Sequence, residues 1–310
     1  SLLAYLAVAT KPDRRAAAAS LTWLMMIFGI AVTAGIVGKL IDPFSTARVI
    51  IVISSVCILA TLVTILAVYG VEKKYPYQNI SSPTKTLKLI DGLKEIWQEP
   101  KARLFTIFVA VSMTAYFMQE LILEPYAGLV FDLTPGQTTS LSGIQNGGVF
   151  FGMLAVGITV SGFKVGSLKT WVFLGCFGSA LALISIALFA NHNFGLPIAL
   201  PIAILGFCNG AFAVGAIGSM MQLAGNGKSN REGTRMGLWG ASQAIAAGFG
   251  GLLGTILVDI LGLYFSNPAN AFGIVFYLEA ILFILAAAMS LKIIESTQHK
   301  SINQPLGVLE

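Results

Sequence analysis

Residues 49–70 read VIIVISSVCILATLVTILAVYG, a run of 22 residues without a charged side chain. A transmembrane helix needs about 20 consecutive apolar residues to cross a hydrocarbon layer of roughly 30 Å. An apolar run of this length predicts a membrane span rather than a strand or helix of a soluble core.

The same pattern recurs along the chain. Of its 310 residues, 56% are hydrophobic and only 11% are charged, whereas soluble domains carry about 25% charged residues. Eight complete spans are predicted, at residues 17–40, 49–70, 104–128, 139–162, 171–190, 197–222, 236–262 and 270–291. The apolar stretch Ser1–Ala9 is too short to span and predicts the end of a ninth helix. The sequence therefore predicts an all-α membrane protein.

The basic residues give the orientation of these spans. When the connections are taken alternately, 17 of the 19 Lys and Arg residues fall on one side, and only Lys39 and Arg48 fall on the other. Positive charge accumulates on the cytoplasmic side of membrane proteins. We therefore predict that residues 71–103 and the C-terminal tail are cytoplasmic. The net charge of +5 thus indicates membrane orientation, and no nucleic-acid partner is predicted.

A weak internal repeat relates the first complete span to the seventh. Arg15 precedes Trp23 by eight residues, and Arg231 precedes Trp239 by the same distance. Glycines follow each tryptophan at +12 and +15, namely Gly35 and Gly38, then Gly251 and Gly254. Two such units in equal orientation, with six spans per half, are typical of the major facilitator superfamily. Four matching positions in glycine-rich helices can also arise by chance.

This repeat predicts a major-facilitator-type bundle with four regions. Residues 1–70 would be the remainder of an N-terminal six-helix half, comprising the end of helix 4 and helices 5 and 6. Residues 71–103 would be a cytoplasmic linker containing an amphipathic helix, in which Leu89, Leu93 and Trp97 share one face. Residues 104–292 would be the C-terminal six-helix half, and residues 293–310 a cytoplasmic tail.

Two carboxylates within the third span are the strongest candidate site. Glu120 and Glu124 are four residues apart, so they lie on one face of a helix. A charged side chain at the bilayer centre costs roughly 2.5–3.5 kcal/mol, which predicts a cavity, a proton or a ligand; Gln119 and Tyr126 are further candidates beside the pair. The alternative is that both carboxylates are hydrated near the outer interface and purely structural.

Other polar residues within spans are candidates for lining a cavity. They are Gln145, Asn146, Asn209, Gln243 and Glu279. Single polar residues of this kind more often form hydrogen bonds between helices. The glycine pairs Gly143/Gly147, Gly148/Gly152 and Gly250/Gly254 predict close helix packing for the same reason.

No catalytic constellation is predicted. Both histidines, His192 and His299, fall outside the spans, and the three cysteines show no ligand spacing. No span centre contains the aspartates that a magnesium pyrophosphate would need. The sequence therefore predicts no enzyme and no metal-ion site.

Three segments resemble signatures of the PucC family. They are QELILEPYAG at residues 119–128 with LTPGQTT at 133–139, GFCNGAFAVG at 206–215, and GLWGASQA at 237–244. Ala127 stands where a second glycine is expected. The resemblance implies a major-facilitator-type protein of phototrophs, N-terminally truncated here, in a photosynthetic membrane (intracytoplasmic or thylakoid) or the plasma membrane.

The resemblance also implies a function in assembling light-harvesting complexes and in binding or delivering chlorophyll or bacteriochlorophyll. The expected partners are light-harvesting apoproteins or pigment-synthesis enzymes, together with the lipid bilayer. The alternative is a proton-coupled small-molecule transporter in which Glu120 and Glu124 carry the proton. A pigment-synthesis enzyme is a third interpretation, weakened by the missing pyrophosphate-binding carboxylates.

Overall fold

A computed structural model describes residues 15–69, 97–163, 166–190, 197–225 and 232–298. The regular elements within these ranges are helices. They are α1 (Arg15–Leu40), α2 (Thr46–Val68), α3 (Pro100–Phe131), α4 (Pro135–Val156), α5 (Leu168–Phe189), α6 (Ala199–Gly225), α7 (Glu232–Gly262) and α8 (Pro268–Gln298). A π-helical segment, Gly157–Gly162, continues α4.

These helices confirm the predicted all-α membrane bundle. Eight described helices are long and apolar enough to cross a membrane. Several extend beyond the predicted spans: α3 begins at Pro100 instead of residue 104, because hydropathy marks the apolar core of a span and not its polar turns. The predicted end of a ninth helix at Ser1–Ala9, the amphipathic helix before Trp97 and the tail beyond Gln298 lie outside the described residues.

Helix α4 connects the first two helices to the remaining ones. It packs against α1 on one side and α6 on the other, and α6 continues the bundle through α5, α8, α3 and α7. The main buried cluster comprises residues of α3 to α8, while Ile27 of α1 joins Val149 and Met153 of α4 in a small second cluster. No residue of α2 is buried. The division into two six-helix halves remains a prediction.

Glycines allow the closest helix approaches. A Cβ atom added at Gly143 would lie 2.8 Å from the backbone nitrogen of Gly35 in α1, and one at Gly148 would lie 2.9 Å from that of Phe207 in α6. Both distances are shorter than van der Waals contact, so these crossings require glycine. The predicted packing roles of Gly143 and Gly148 are confirmed, whereas a Cβ at Gly147 would meet nothing within 4 Å.

The two tryptophans of the repeat occupy different environments. Trp239 of α7 is 1% exposed, packs edge-on against Phe105 of α3 at 4.8 Å, and donates from Nε1 to the hydroxyl of Thr106 at 3.2 Å. Trp23 of α1 is 41% exposed. The described chain therefore contains a partner helix for the second unit of the repeat and leaves the corresponding face of the first unit uncovered.

Polar contacts hold the helix ends together at both ends of the bundle. At one end the Thr134 hydroxyl donates to Asp42 Oδ1 at 3.1 Å, which joins the α1–α2 turn to the start of α4. At the other end Arg235 of α7 forms an ion pair with Glu99, the residue before α3. The charge distribution predicts that the Arg235 end faces the cytoplasm.

Cysteine labelling tests this orientation. Lys101 lies in the first turn of α3 and Gln137 in the first turn of α4, and both are exposed. In full-length protein with its native cysteines replaced, Lys101→Cys should react with a membrane-impermeant thiol reagent only after the cytoplasmic face is opened, and Gln137→Cys should react from outside. Labelling of both positions from the same side would contradict the span count and the orientation together.

Candidate functional site

Helix α3 presents two chemically distinct faces. Glu120 and Glu124 are both exposed, whereas Gln119 and Tyr126 are both fully buried. Gln119 and Tyr126 are seven residues apart, which is about two helical turns, so they share one face. The structure thus separates the four candidates on this helix into an exposed carboxylate pair and a buried pair.

Glu124 of the carboxylate pair lies beside a polar part of α4. The hydroxyl of Ser142 donates to Glu124 Oε1, and the Asn146 side-chain amide donates to the Ser142 backbone oxygen at 2.9 Å. Beyond Arg103, α3 contains no basic residue, so α3 itself supplies no cation to Glu120 or Glu124. The resulting surface, formed by Glu120, Glu124, Ser142 and Asn146, is named the carboxylate face below.

Tyr126 connects α3 to α5 and α8. Its hydroxyl donates to the backbone oxygen of Ile186 at 2.6 Å, and its ring packs against Phe272 and Phe276 with centroids 5.6 and 4.9 Å away. These contacts use both the apolar ring and the polar end of the side chain. Tyr126 therefore fixes the positions of three helices and does not reach the carboxylate face.

The predicted cavity-lining residues occupy three places. Gln145 and Asn146 are half-buried on α4, and Gln243 is half-buried on α7. Asn209 of α6 and Glu279 of α8 are completely buried, and Asn209 Oδ1 accepts from the Ser179 hydroxyl of α5 at 2.8 Å. Of the five, only Asn146 bonds to a residue of the carboxylate face.

Sequence reasoning missed the ion pair between Arg235 and Glu99. It emphasised Arg231, which lies outside the described residues, as does the side chain of Arg15 at the start of α1. Arg235 is 5% exposed, and a buried arginine is normally paired. The sequence does mark Glu99 as lying at a helix start, because it directly precedes Pro100. An acidic residue followed by proline is typical of a helix N-terminus.

The described residues contain no group of three His, Cys, Asp or Glu side chains that could hold a metal ion. The carboxylate face instead offers two separate carboxyl groups, Glu120 and Glu124, beside a hydroxyl group and an amide group. Such an arrangement can accept hydrogen bonds, hold a proton, or supply one oxygen ligand to a metal ion already bound in an organic ring.

These features define a multi-pass α-helical membrane protein with a carboxylate pair on one exposed helix face. The chain matches the family described as PUCC protein over residues 1–298. It therefore belongs to the PucC family, which confirms the resemblance identified from its sequence.

Three relatives illustrate the match. The chain is 57% identical over 292 residues to the "Bacteriochlorophyll synthase 44.5 kDa chain" of Rhodobacter capsulatus, covering 94% of this chain and 67% of the relative. It is 26% identical over 293 residues to "Protein PucC" of Rhodobacter capsulatus, covering 89% and 60%. It is 28% identical over 264 residues to "Protein PucC" of Cereibacter sphaeroides, covering 84% and 56%. The chain thus spans between about half and two thirds of the length of these relatives.

Proposed function

We propose that this protein is an integral membrane assembly factor for photosynthetic light-harvesting complexes that binds or delivers chlorophyll or bacteriochlorophyll. Membership of the PucC family supports this proposal, as does the name of a relative that refers to bacteriochlorophyll. The proposed location is a photosynthetic or plasma membrane of a phototroph. Light-harvesting apoproteins or pigment-synthesis enzymes are the proposed partners.

The observation that carries the proposal is the carboxylate face. Glu120 and Glu124 are exposed on a membrane span, where a carboxylate directed at lipid costs a few kcal/mol. Only Glu124 has a described hydrogen-bond donor, the Ser142 hydroxyl. A ligand or a water-filled cavity on this face would remove the remaining cost.

A chlorophyll-type pigment fits this face chemically. Its ring is large and apolar, which suits a site within a membrane, and its central magnesium ion prefers oxygen ligands. Glu120 would supply such an oxygen, while Glu124 is oriented by Ser142. We propose no chemical step on the pigment, so the protein would act by binding and positioning without catalysis.

A proton-coupled transporter is the alternative, because the same two carboxylates could take up and release protons. The substitution Glu120→Gln separates the two functions: glutamine retains an oxygen ligand and cannot titrate. Under the assembly proposal, the variant should keep most of the pigment bound by the wild type. Under the transport alternative, pH-driven substrate flux in vesicles should fail.

The direct test is the absorption spectrum of full-length protein purified from a phototroph. We expect a chlorophyll-type absorption band that co-purifies with the monodisperse protein and is retained in Glu120→Gln. A colourless preparation that supports pH-driven uptake into vesicles would reject the proposal in favour of transport. The variant Asp259→Asn is the matched control, because Asp259 is an exposed carboxylate on α7 that is not one of the residues of the carboxylate face.

A further inference from the structure

The core of the bundle contains polar side chains that the proposed function does not use. Gln119, Ser179, Asn209 and Glu279 are each 0% exposed and come from α3, α5, α6 and α8. Ser179 and Asn209 are bonded to each other. The described residues offer no hydrogen-bond partner to either polar atom of Gln119, to either carboxyl oxygen of Glu279, or to Asn209 Nδ2.

Three of these four residues lie at similar depths in the bundle. Tyr126 of α3 contacts Ile186 of α5 and Phe272 of α8. Gln119 and Ser179 are each seven residues from Tyr126 and Ile186, respectively, which is about two helical turns, or roughly 10 Å. Glu279 is seven residues from Phe272 and three from Phe276, which contacts Tyr126 more closely, so it lies roughly 5–10 Å from the same contact.

The direction of each step along its helix sets the level that is reached. Moving from Tyr126 towards the Arg235 end of the bundle means moving backwards along α3 and α5 and forwards along α8, because α8 runs antiparallel to the other two helices. Gln119 and Ser179 are therefore reached at one level and Glu279 within about 5 Å of it, on the faces that carry the Tyr126 contacts. Asn209 joins this level through its hydrogen bond to Ser179.

A buried polar group without a hydrogen-bond partner destabilises the folded protein, and a charged group does so more strongly. Five such atoms at similar depths in the core therefore require partners, and one shared partner can serve several of them. A buried water molecule typically makes about three hydrogen bonds to groups of this kind. Together, Gln119, Asn209 and Glu279 provide both donors and acceptors in sufficient number.

We propose that Gln119, Ser179, Asn209 and Glu279 form an internal site that binds water between α3, α5, α6 and α8. The water joins the Glu279 carboxyl group to the Gln119 amide and to Asn209 Nδ2. The site is separate from the carboxylate face, because Gln119 and Glu120 lie on different faces of α3. It fixes the relative positions of four helices at mid-membrane.

Infrared difference spectroscopy of the full-length protein in nanodiscs tests the site. Exchange of H₂O for H₂¹⁸O should shift an O–H stretching band of internal water. That band should disappear in Glu279→Leu and in Gln119→Leu, and it should persist in Asp259→Leu, whose carboxylate is exposed. A band that is unchanged in all three variants, or that is absent from the wild type, would overturn the proposal.

Thermal unfolding gives a second measurement. Each single leucine variant should lower the unfolding midpoint by several degrees, whereas the double variant should lower it by less than the sum, because neither partner then remains unpaired. Strictly additive shifts would show that the two residues share no water.

If the leucine variants fail to fold, Glu279→Gln should retain the infrared band at a shifted frequency. An unfolding midpoint that rises with sodium but not with choline would show that the site binds a cation instead of water, and it would overturn the proposal.

Discussion

Replacing both Glu120 and Glu124 by alanine should lower pigment affinity by about a hundredfold or more. Each hydrogen bond or ligand bond to a charged group contributes about 1.5–3 kcal/mol, and every 1.4 kcal/mol is a factor of ten in affinity. The double variant removes two such groups from the carboxylate face and leaves only Ser142 and Asn146. The measurement is the amount of pigment that co-purifies with a fixed amount of monodisperse protein.

The double substitution should leave the bundle folded, because both side chains are exposed and Tyr126 and Gln119 keep the buried face of α3 unchanged. Asp259→Ala controls for the loss of an exposed carboxylate within a span. If the double variant has normal pigment content and supports normal assembly of light-harvesting complexes, Glu120 and Glu124 have only a structural role and do not bind pigment.

The substitution Gly175→Val should greatly reduce the yield of folded protein. A Cβ atom at Gly175 of α5 would lie 2.6 Å from the backbone nitrogen of Phe212 and 2.8 Å from the backbone oxygen of Cys208, both in α6. These neighbours are backbone atoms and cannot rotate away, so α5 and α6 must separate. Overpacking costs about 1–3 kcal/mol for small changes, and valine adds three carbon atoms. Size-exclusion chromatography after a heating series measures the loss.

Gly147→Val is the matched control for this experiment. It introduces the same side chain into a helix, with the same loss of conformational freedom, at a position where a Cβ meets nothing within 4 Å. The Gly147 variant should retain a thermal midpoint near that of the wild type. Equal loss in the two variants would mean that helix propensity, and not the α5–α6 contact, sets the outcome.

Most of the fold follows from the sequence because the bilayer imposes a length and a polarity on every span. Residues 49–70 are sufficient to identify a membrane protein, and the Lys and Arg distribution predicts its orientation. Hydropathy does not say which helices touch, since an apolar side chain suits lipid and protein equally well. The packing of α4 between α1 and α6 is therefore visible only in the structure, although glycines such as Gly143 and Gly148 mark its contact faces.

The candidate site was predictable only in part. The spacing of Glu120 and Glu124 predicts that they share one face of α3, because that inference needs only the helical repeat. Gln119 adjoins Glu120 in sequence, but successive residues are about 100° apart around a helix, so neighbours in sequence point in different directions. The bond between Glu124 and Ser142 and the ion pair between Glu99 and Arg235 depend on tertiary packing, which local patterns do not encode.

The contact between α1 and α4 has a consequence for biosynthesis. Asp42 and Thr134, which join the two helices at one end, are 92 residues apart in the chain. At roughly 5–20 residues per second, the ribosome needs about 5–18 s to make the segment between them. During that interval Gly35 and Gly38 of the newly inserted α1 face lipid or the insertion machinery. Closure of this contact must therefore follow insertion, and a slower ribosome would lengthen the period in which α1 is open to capture by other membrane helices.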